Sequence, residues 1–167
     1  FKCTALTSIT MAGNDIVRIE GHAFYGSGLT SVTIPSSVTE LGYSAFHDSV
    51  SLTSVQFAGT SGLKDIYAST FWDTPIPDIE IPASVTFMDR LIFYNCNFLT
   101  KIRFEPNSQL GTLGGHSFRN TGIAAIVIPA STTSIHSNAF LGLSNLKVYI
   151  EYGNTMGISS GSKSSFY

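Results

Sequence analysis

The chain has 167 residues, a formal charge of −2 and only 12% charged residues. That length supports one domain with its own core, and that charge offers no basic footprint for nucleic acid or an anionic membrane. A hydrophobic content of 43% argues against disorder, and no apolar run reaches the roughly 18 residues of a membrane span, so no membrane insertion is expected.

In chain order, the first element is Leu6-x-x-Ile9-x-Met11. The pattern returns at Leu29, Val32 and Ile34, at Leu52, Val55 and Phe57, at Ile76, Ile79 and Ile81, at Leu99, Ile102 and Phe104, and at Ile123, Ile126 and Ile128. A seventh copy opens at Leu146, and the step is 23 or 24 residues throughout. Each copy predicts a short strand whose alternation sends the fourth and sixth positions inward. Pro35, Pro82 and Pro129 follow three of these strands, where a residue without an N–H ends a ladder. Asn14, Ser37, Ser84 and Ser131 come next, placed to bond the backbone of the corner.

The return path adds a column of Ile16, Val38, Leu63, Val85 and Leu110, with Thr132 as the exception, then one of Ile19, Leu41, Ile66, Met88, Leu113 and Ile135. Every copy then reaches a phenylalanine: Phe24, Phe46, Phe71, Phe93, Phe118 and Phe140. The short segment around it, as in Ser44-Ala45-Phe46, predicts one helical or 3₁₀ turn on the outer side. The copies at 52 and 99 carry one more residue after the strand than those at 29, 76 and 123, so the larger unit is 47 residues. In the last copy the regular register would turn Glu151 inward, and a one-residue slide that puts Val148 and Ile150 in the core is expected instead.

No single copy can bury six columns, so the copies must stack. The pattern L-x-x-V-x-I-P-x-S-V-x-x-I-G-x-x-A-F resembles the BspA-like, treponemal-type leucine-rich repeats, found mostly in surface proteins of bacteria and of some mucosal protozoa. With that resemblance the expected fold is an α/β-type solenoid: a right-handed leucine-rich-repeat coil, a parallel sheet on its concave face at about 4.8 Å per step, and short helical or 3₁₀ turns on its convex face. One domain spans 1–167, with coils starting near 6, 29, 52, 76, 99, 123 and 146. Phe1 lies 23 residues before Phe24, and residues 165–167 resemble 70–72, so both ends are expected to fall within a repeat. Without an initiator Met or a signal peptide, the chain is expected to be a processed or excised piece.

The resemblance also implies a bacterial cell-surface or secreted address, a periplasmic one being left open, and a role in adhesion through protein binding. The family consensus often places a cysteine three residues before the opening leucine, the column of Cys3 and Cys96. Four coils separate them, roughly 19 Å, beyond the about 7 Å limit for a disulfide. Both are therefore expected to be free, buried thiols.

Candidate chemistry is sparse. No two of His22, His47, His116 and His136 have metal-ligand spacing, no G-x-S-x-G elbow occurs, and Gly114 and Gly115 lack the strand–loop–helix setting of a phosphate cradle. Cys96 sits in a packing column. No metal, cofactor or enzymatic activity is expected. The outward strand positions are more informative: Ser8 and Thr10, Ser31 and Thr33, Ser54 and Gln56, Asp78 and Glu80, Lys101 and Arg103, Ala125 and Val127. Hydroxyls give way to an acidic pair, a basic pair and an apolar pair, with Asp78 expected beside Lys101 and Glu80 beside Arg103. Ser31 to Val127 on this face form the expected ligand-binding surface, and Tyr25, Trp72 and Tyr94, each next to a column phenylalanine, a second candidate interface on the convex side. The functional expectation is a non-catalytic adhesin module that binds a host or microbial surface protein or a glycan. The alternative is a structural spacer or assembly module without its own ligand, with self-association through uncapped solenoid ends.

Overall fold

The computed structural model describes residues 3–11, 13 and 15–151; Phe1, Asn14 and the segment 165–167 lie outside them. Six four-residue strands carry the predicted alternation: β2 (Ser31–Ile34), β4 (Ser54–Phe57), β6 (Asp78–Ile81), β8 (Lys101–Phe104), β10 (Ala125–Ile128) and β12 (Lys147–Ile150). Between them run six two-residue strands: β1 (Arg18–Ile19), β3 (Glu40–Leu41), β5 (Asp65–Ile66), β7 (Phe87–Met88), β9 (Thr112–Leu113) and β11 (Ser134–Ile135). Every pairing is parallel.

The continuous sheet is not where the apolar pattern places it. The short return strands form one six-stranded sheet in the order β1-β3-β5-β7-β9-β11, whereas the long strands bond in pairs, β2 with β4, β6 with β8 and β10 with β12. The pairs follow the 47-residue unit. Within the first two pairs the residue before the second strand donates to the residue before the first, Thr53 N–H to the Thr30 carbonyl at 2.9 Å and Thr100 N–H to that of Pro77 at 3.0 Å. Pro77 itself, at the start of the second unit, has no N–H to pass on to the coil before it.

The columns stack as the repeat requires. Phe46, Phe71, Phe93 and Phe118 are fully buried. From Phe24 to Phe140 the rings form an unbroken ladder, with centroids 5.2 to 5.7 Å apart and planes within 7° to 17° of parallel. Leu29, Leu52, Ile76 and Leu99 are equally enclosed, as are Val38, Leu63, Val85 and Leu110. The slide in the last coil is present: Ile126 pairs with Val148 and Ile128 with Ile150. Val148 packs against the core, but Ile150 is 40% exposed, which corrects the expectation of a core position for it, and the Glu151 carboxylate accepts the Ala130 N–H at 3.2 Å. The corner serines reach farther than their own turn. Ser37, Ser84 and Ser131 donate to the carbonyls of Ile16, Leu63 and Leu110, one coil back, at 2.7 to 2.9 Å.

The helical or 3₁₀ turns are a correction: the described residues contain no helix, so the solenoid is all-β rather than α/β. Around each of the first five phenylalanines two residues are left-handed. His22, Ser44, Ser69, Leu91 and His116 stand two before it and Gly26, Asp48, Asp73, Asn95 and Asn120 two after, all with φ between 54° and 61°. A helix needs an unbroken right-handed run, and this one is interrupted at both ends. Backbone donors accordingly alternate. Ala23, Tyr25 and Ser27 bond three residues back, to Glu20, His22 and Phe24, while His22, Phe24 and Gly26 donate to Tyr43, Ala45 and His47 of the next coil. The outer side is thus a chain of β-turns laced coil to coil. Coils approach so closely that a Cβ on Gly42 would lie 2.5 Å from the Gly21 amide nitrogen, which only glycine avoids.

Candidate functional site

Two surfaces gather the predicted site residues. The first is the outward face of the long strands. Inward positions are buried, apart from the half-buried Val55, Phe57 and Phe104, while Ser31, Thr33, Gln56, Asp78, Glu80, Lys101, Ala125 and Val127 are exposed, with Ser54 and Arg103 half-buried. Register places Asp78 opposite Lys101 and Glu80 opposite Arg103, as expected. The ion pairing differs. Arg103 reaches both carboxylates, Asp78 at 3.7 Å and Glu80 at 3.8 Å, because its long guanidinium fork spans the diagonal neighbour as well as the direct one. Lys101 has no carboxylate within 4.0 Å among the described residues.

Beyond this cluster the face becomes apolar. Val127 lies opposite Tyr149, and the two are 49% and 53% exposed. Lys147, opposite Ala125, is also exposed. Tyr149 and Lys147 are absent from the sequence-derived set, although the slide that turns Val148 inward already implies that its neighbours turn out. The second half of the face therefore joins an engaged arginine, two lysines and an apolar pair, while the first half offers small hydroxyls.

The second surface is the outer column that follows each phenylalanine. Tyr25, Trp72 and Tyr94 do share it, all half-buried. His47 fills the gap between them, its ring stacked on Trp72 at 4.9 Å and 11° and edge-on to Tyr25 at 5.2 Å. Trp72 meets Tyr94 at 4.6 Å, and the Arg119 guanidinium lies 5.8 Å from the Tyr94 ring centre. These rings contact one another along the column, which makes it a half-buried ladder. Of the other histidines, His22 and His136 are exposed and His116 is half-buried with a buried Nδ1.

The cysteines are both free, but Cys3 is exposed and only Cys96 is buried, which corrects the expectation for Cys3. Burial pushes the Cys96 thiol up to about 11, against the opposing effect of its hydrogen bond to Thr74. Its sulfur donates to the Phe71 carbonyl at 3.0 Å, much as Ser49 Oγ does to that of Phe24 and Thr121 Oγ1 to that of Phe118. The position selects a small donor that satisfies a phenylalanine carbonyl, and a thiol held in that form is a poor nucleophile.

A family model described as BspA type leucine rich repeat region matches residues 1–72 and 17–147, with six copies. Among solved structures, the pneumococcal vaccine antigen PcpA is 31% identical with a TM-score of 0.70, over 75% of this chain and 31% of that one. The T. pallidum leucine rich repeat protein shares the fold at 23% identity and a TM-score of 0.62, over 80% of this chain and 66% of that one. A leucine rich cell surface protein of Faecalibacterium prausnitzii does so at 24% and 0.57, over 84% and 45%. The chain thus spans from about a third to just under two thirds of the length of these proteins. No curated protein matches it. Among the described residues no helix is long and apolar enough to cross a membrane.

Proposed function

We infer function from one premise: this chain belongs to the BspA-type leucine-rich repeat family. On it we propose a non-catalytic recognition module of a cell-surface or secreted bacterial protein, which holds a protein or glycan on the outward face of its long strands. The likeness to a pneumococcal vaccine antigen supports an accessible address. Solenoids offer such rows of side chains at fixed spacing as extended binding surfaces.

The observation that carries the reading is the division of that face. Because Arg103 takes both Asp78 and Glu80, the positive charge left facing solvent is that of Lys101 and Lys147, on either side of Ala125 and Val127, with Tyr149 alongside. An exposed aromatic with an aliphatic neighbour and flanking cations suits a partner that pairs acidic groups with an apolar or sugar-ring surface. Surface plasmon resonance of the 167-residue chain against extracellular-matrix proteins and sulfated glycans tests this. Lys101→Glu with Lys147→Glu is expected to abolish the salt-sensitive part of binding, and Tyr149→Ala to speed dissociation. Binding that ignores all three changes, or a chain that binds none of the probes, overturns the assignment and favours the spacer reading.

A further inference from the structure

The outer ladder brings together three potential ligand side chains that the proposed recognition face does not include. His47 and Asp48 follow Phe46 in one coil, and Asp73 follows Trp72 in the next. One ligand atom from each of the three lies within 4.8 Å of the others. We propose that His47, Asp48 and Asp73 bind a divalent transition-metal ion of the Zn²⁺ class, clasping two adjacent coils on the outer side.

The backbone presents the donors. Asp48 and Asp73 occupy one column in left-handed conformation, φ 59° and 55°, and each amide is bonded to the following coil, Asp48 N–H to the Trp72 carbonyl and Asp73 N–H to that of Tyr94, both at 3.0 Å. Elsewhere this column holds Gly26, Asn95, Asn120 and Gly142. The conformation therefore accepts an uncharged residue, and carboxylates occur in the two neighbouring coils that flank the only ladder histidine.

The imidazole is oriented too. Trp72 covers one face of the His47 ring, Tyr25 meets it edge-on, and Nε2 points to within 3.6 Å of the Asp48 Oδ1. The Tyr25 hydroxyl donates to the other Asp48 oxygen at 3.0 Å, the kind of outer partner that fixes a carboxylate ligand. All three ligating residues are half-buried.

The donor set selects the ion. One imidazole with two carboxylates suits Zn²⁺ and its transition-metal neighbours, three protein ligands leaving a fourth position to water. Ca²⁺ prefers six to eight oxygens and gains nothing from the imidazole. Around a tetrahedral ion with ligands at about 2.1 Å the donors would stand about 3.4 Å apart, closer than the 4.8 Å within which they now lie, so binding requires the side chains to draw together. Ligands at positions 47, 48 and 73 have no recognisable sequence spacing because they meet only across a coil.

The test uses the sole tryptophan, Trp72, which lies on the ligand ring. Metal-stripped protein is titrated with Ni²⁺, which quenches a neighbouring indole, and then with Zn²⁺ as competitor; a parallel thermal melt follows Zn²⁺ alone. Saturable micromolar quenching reversed by Zn²⁺, with a rise in Tm on adding Zn²⁺, is expected. Asp73→Asn places in the column a residue that Asn95 and Asn120 show it tolerates, so its metal-free melt should match the parent's, while Ni²⁺ affinity falls by more than about tenfold. His47→Gln should lose Ni²⁺ affinity to the same extent, with a lower metal-free Tm because its ring contacts to Trp72 and Tyr25 go too, and His22→Gln with His136→Gln should keep the parent response. Quenching that does not saturate, or that survives in Asp73→Asn, overturns the site.

Discussion

Two ladders run side by side along this molecule, one residue apart in sequence, and they follow different rules. The inner one repeats phenylalanine six times, with near-parallel rings and full burial in its middle four. The outer one, at the next position, changes from Tyr25 to His47, Trp72, Tyr94 and Arg119, with ring angles from 11° to 84°. Periodicity is common to both. What separates them is enclosure: inside, each side chain must fill the same volume as the ones above and below it, whereas an open edge lets neighbours differ in shape and charge. Chemistry can therefore vary on the outer ladder and on the strand face without disturbing the stack.

The widest gap between the two environments should appear in thiol reactivity. A sulfhydryl reagent at mildly alkaline pH is expected to label Cys3 at once and Cys96 only upon unfolding, because Cys96 is enclosed and burial holds its thiol near 11. Prompt labelling of both would mean that the inner stack opens readily. Next in size, Phe71→Ala leaves a ring-sized void between Phe46 and Phe93 and should cost about 3–5 kcal/mol in urea unfolding. Trp72→Ala, one position along, removes two ring contacts at a half-buried edge and should cost about 1–2 kcal/mol; equal losses at the two sites would erase the distinction.

The smallest effect concerns Asp65 on the return sheet, whose pKa is raised by partial burial and then by Glu40. Its charged form is disfavoured in the fold, so Asp65→Asn should stabilise slightly at neutral pH. That gain should disappear once the pH falls below the unfolded carboxylate's pKa, where the parent side chain is neutral in both states. A gain that persists in acid would place its origin elsewhere.

Residues that repeat by apolarity were legible in the sequence: the Leu29, Val32 and Phe46 columns, the inward register of the long strands, even the slide at Val148. What escaped was decided by backbone groups. Pro77 and the alternating 23- and 24-residue steps carry the signal for paired rather than continuous long strands, yet side-chain alternation is the same in either arrangement. The left-handed outer turns were signalled by Gly26, Asp48, Asp73, Asn95 and Asn120, all residue types that tolerate φ near 60°. At the candidate sites, the Arg103 fork and the His47 stack depend on side-chain reach between coils, which no linear spacing reports. His47 stood in the same column as Tyr25 and Trp72, but a column was recognised there by aromatic hydrocarbon and not by ring stacking.

The alternating donors of the outer turns have a mechanical corollary. Every second amide there points along the stack to the next coil, so tension applied at the two ends meets these bonds a coil at a time. Such a rod yields by peeling. Each released coil of 23 or 24 residues adds about 80 Å of extended chain, and force spectroscopy should record a series of low, evenly spaced rips. A single high-force rupture would show that the coils fail together, while the spaced pattern would make this stack an extensible tether.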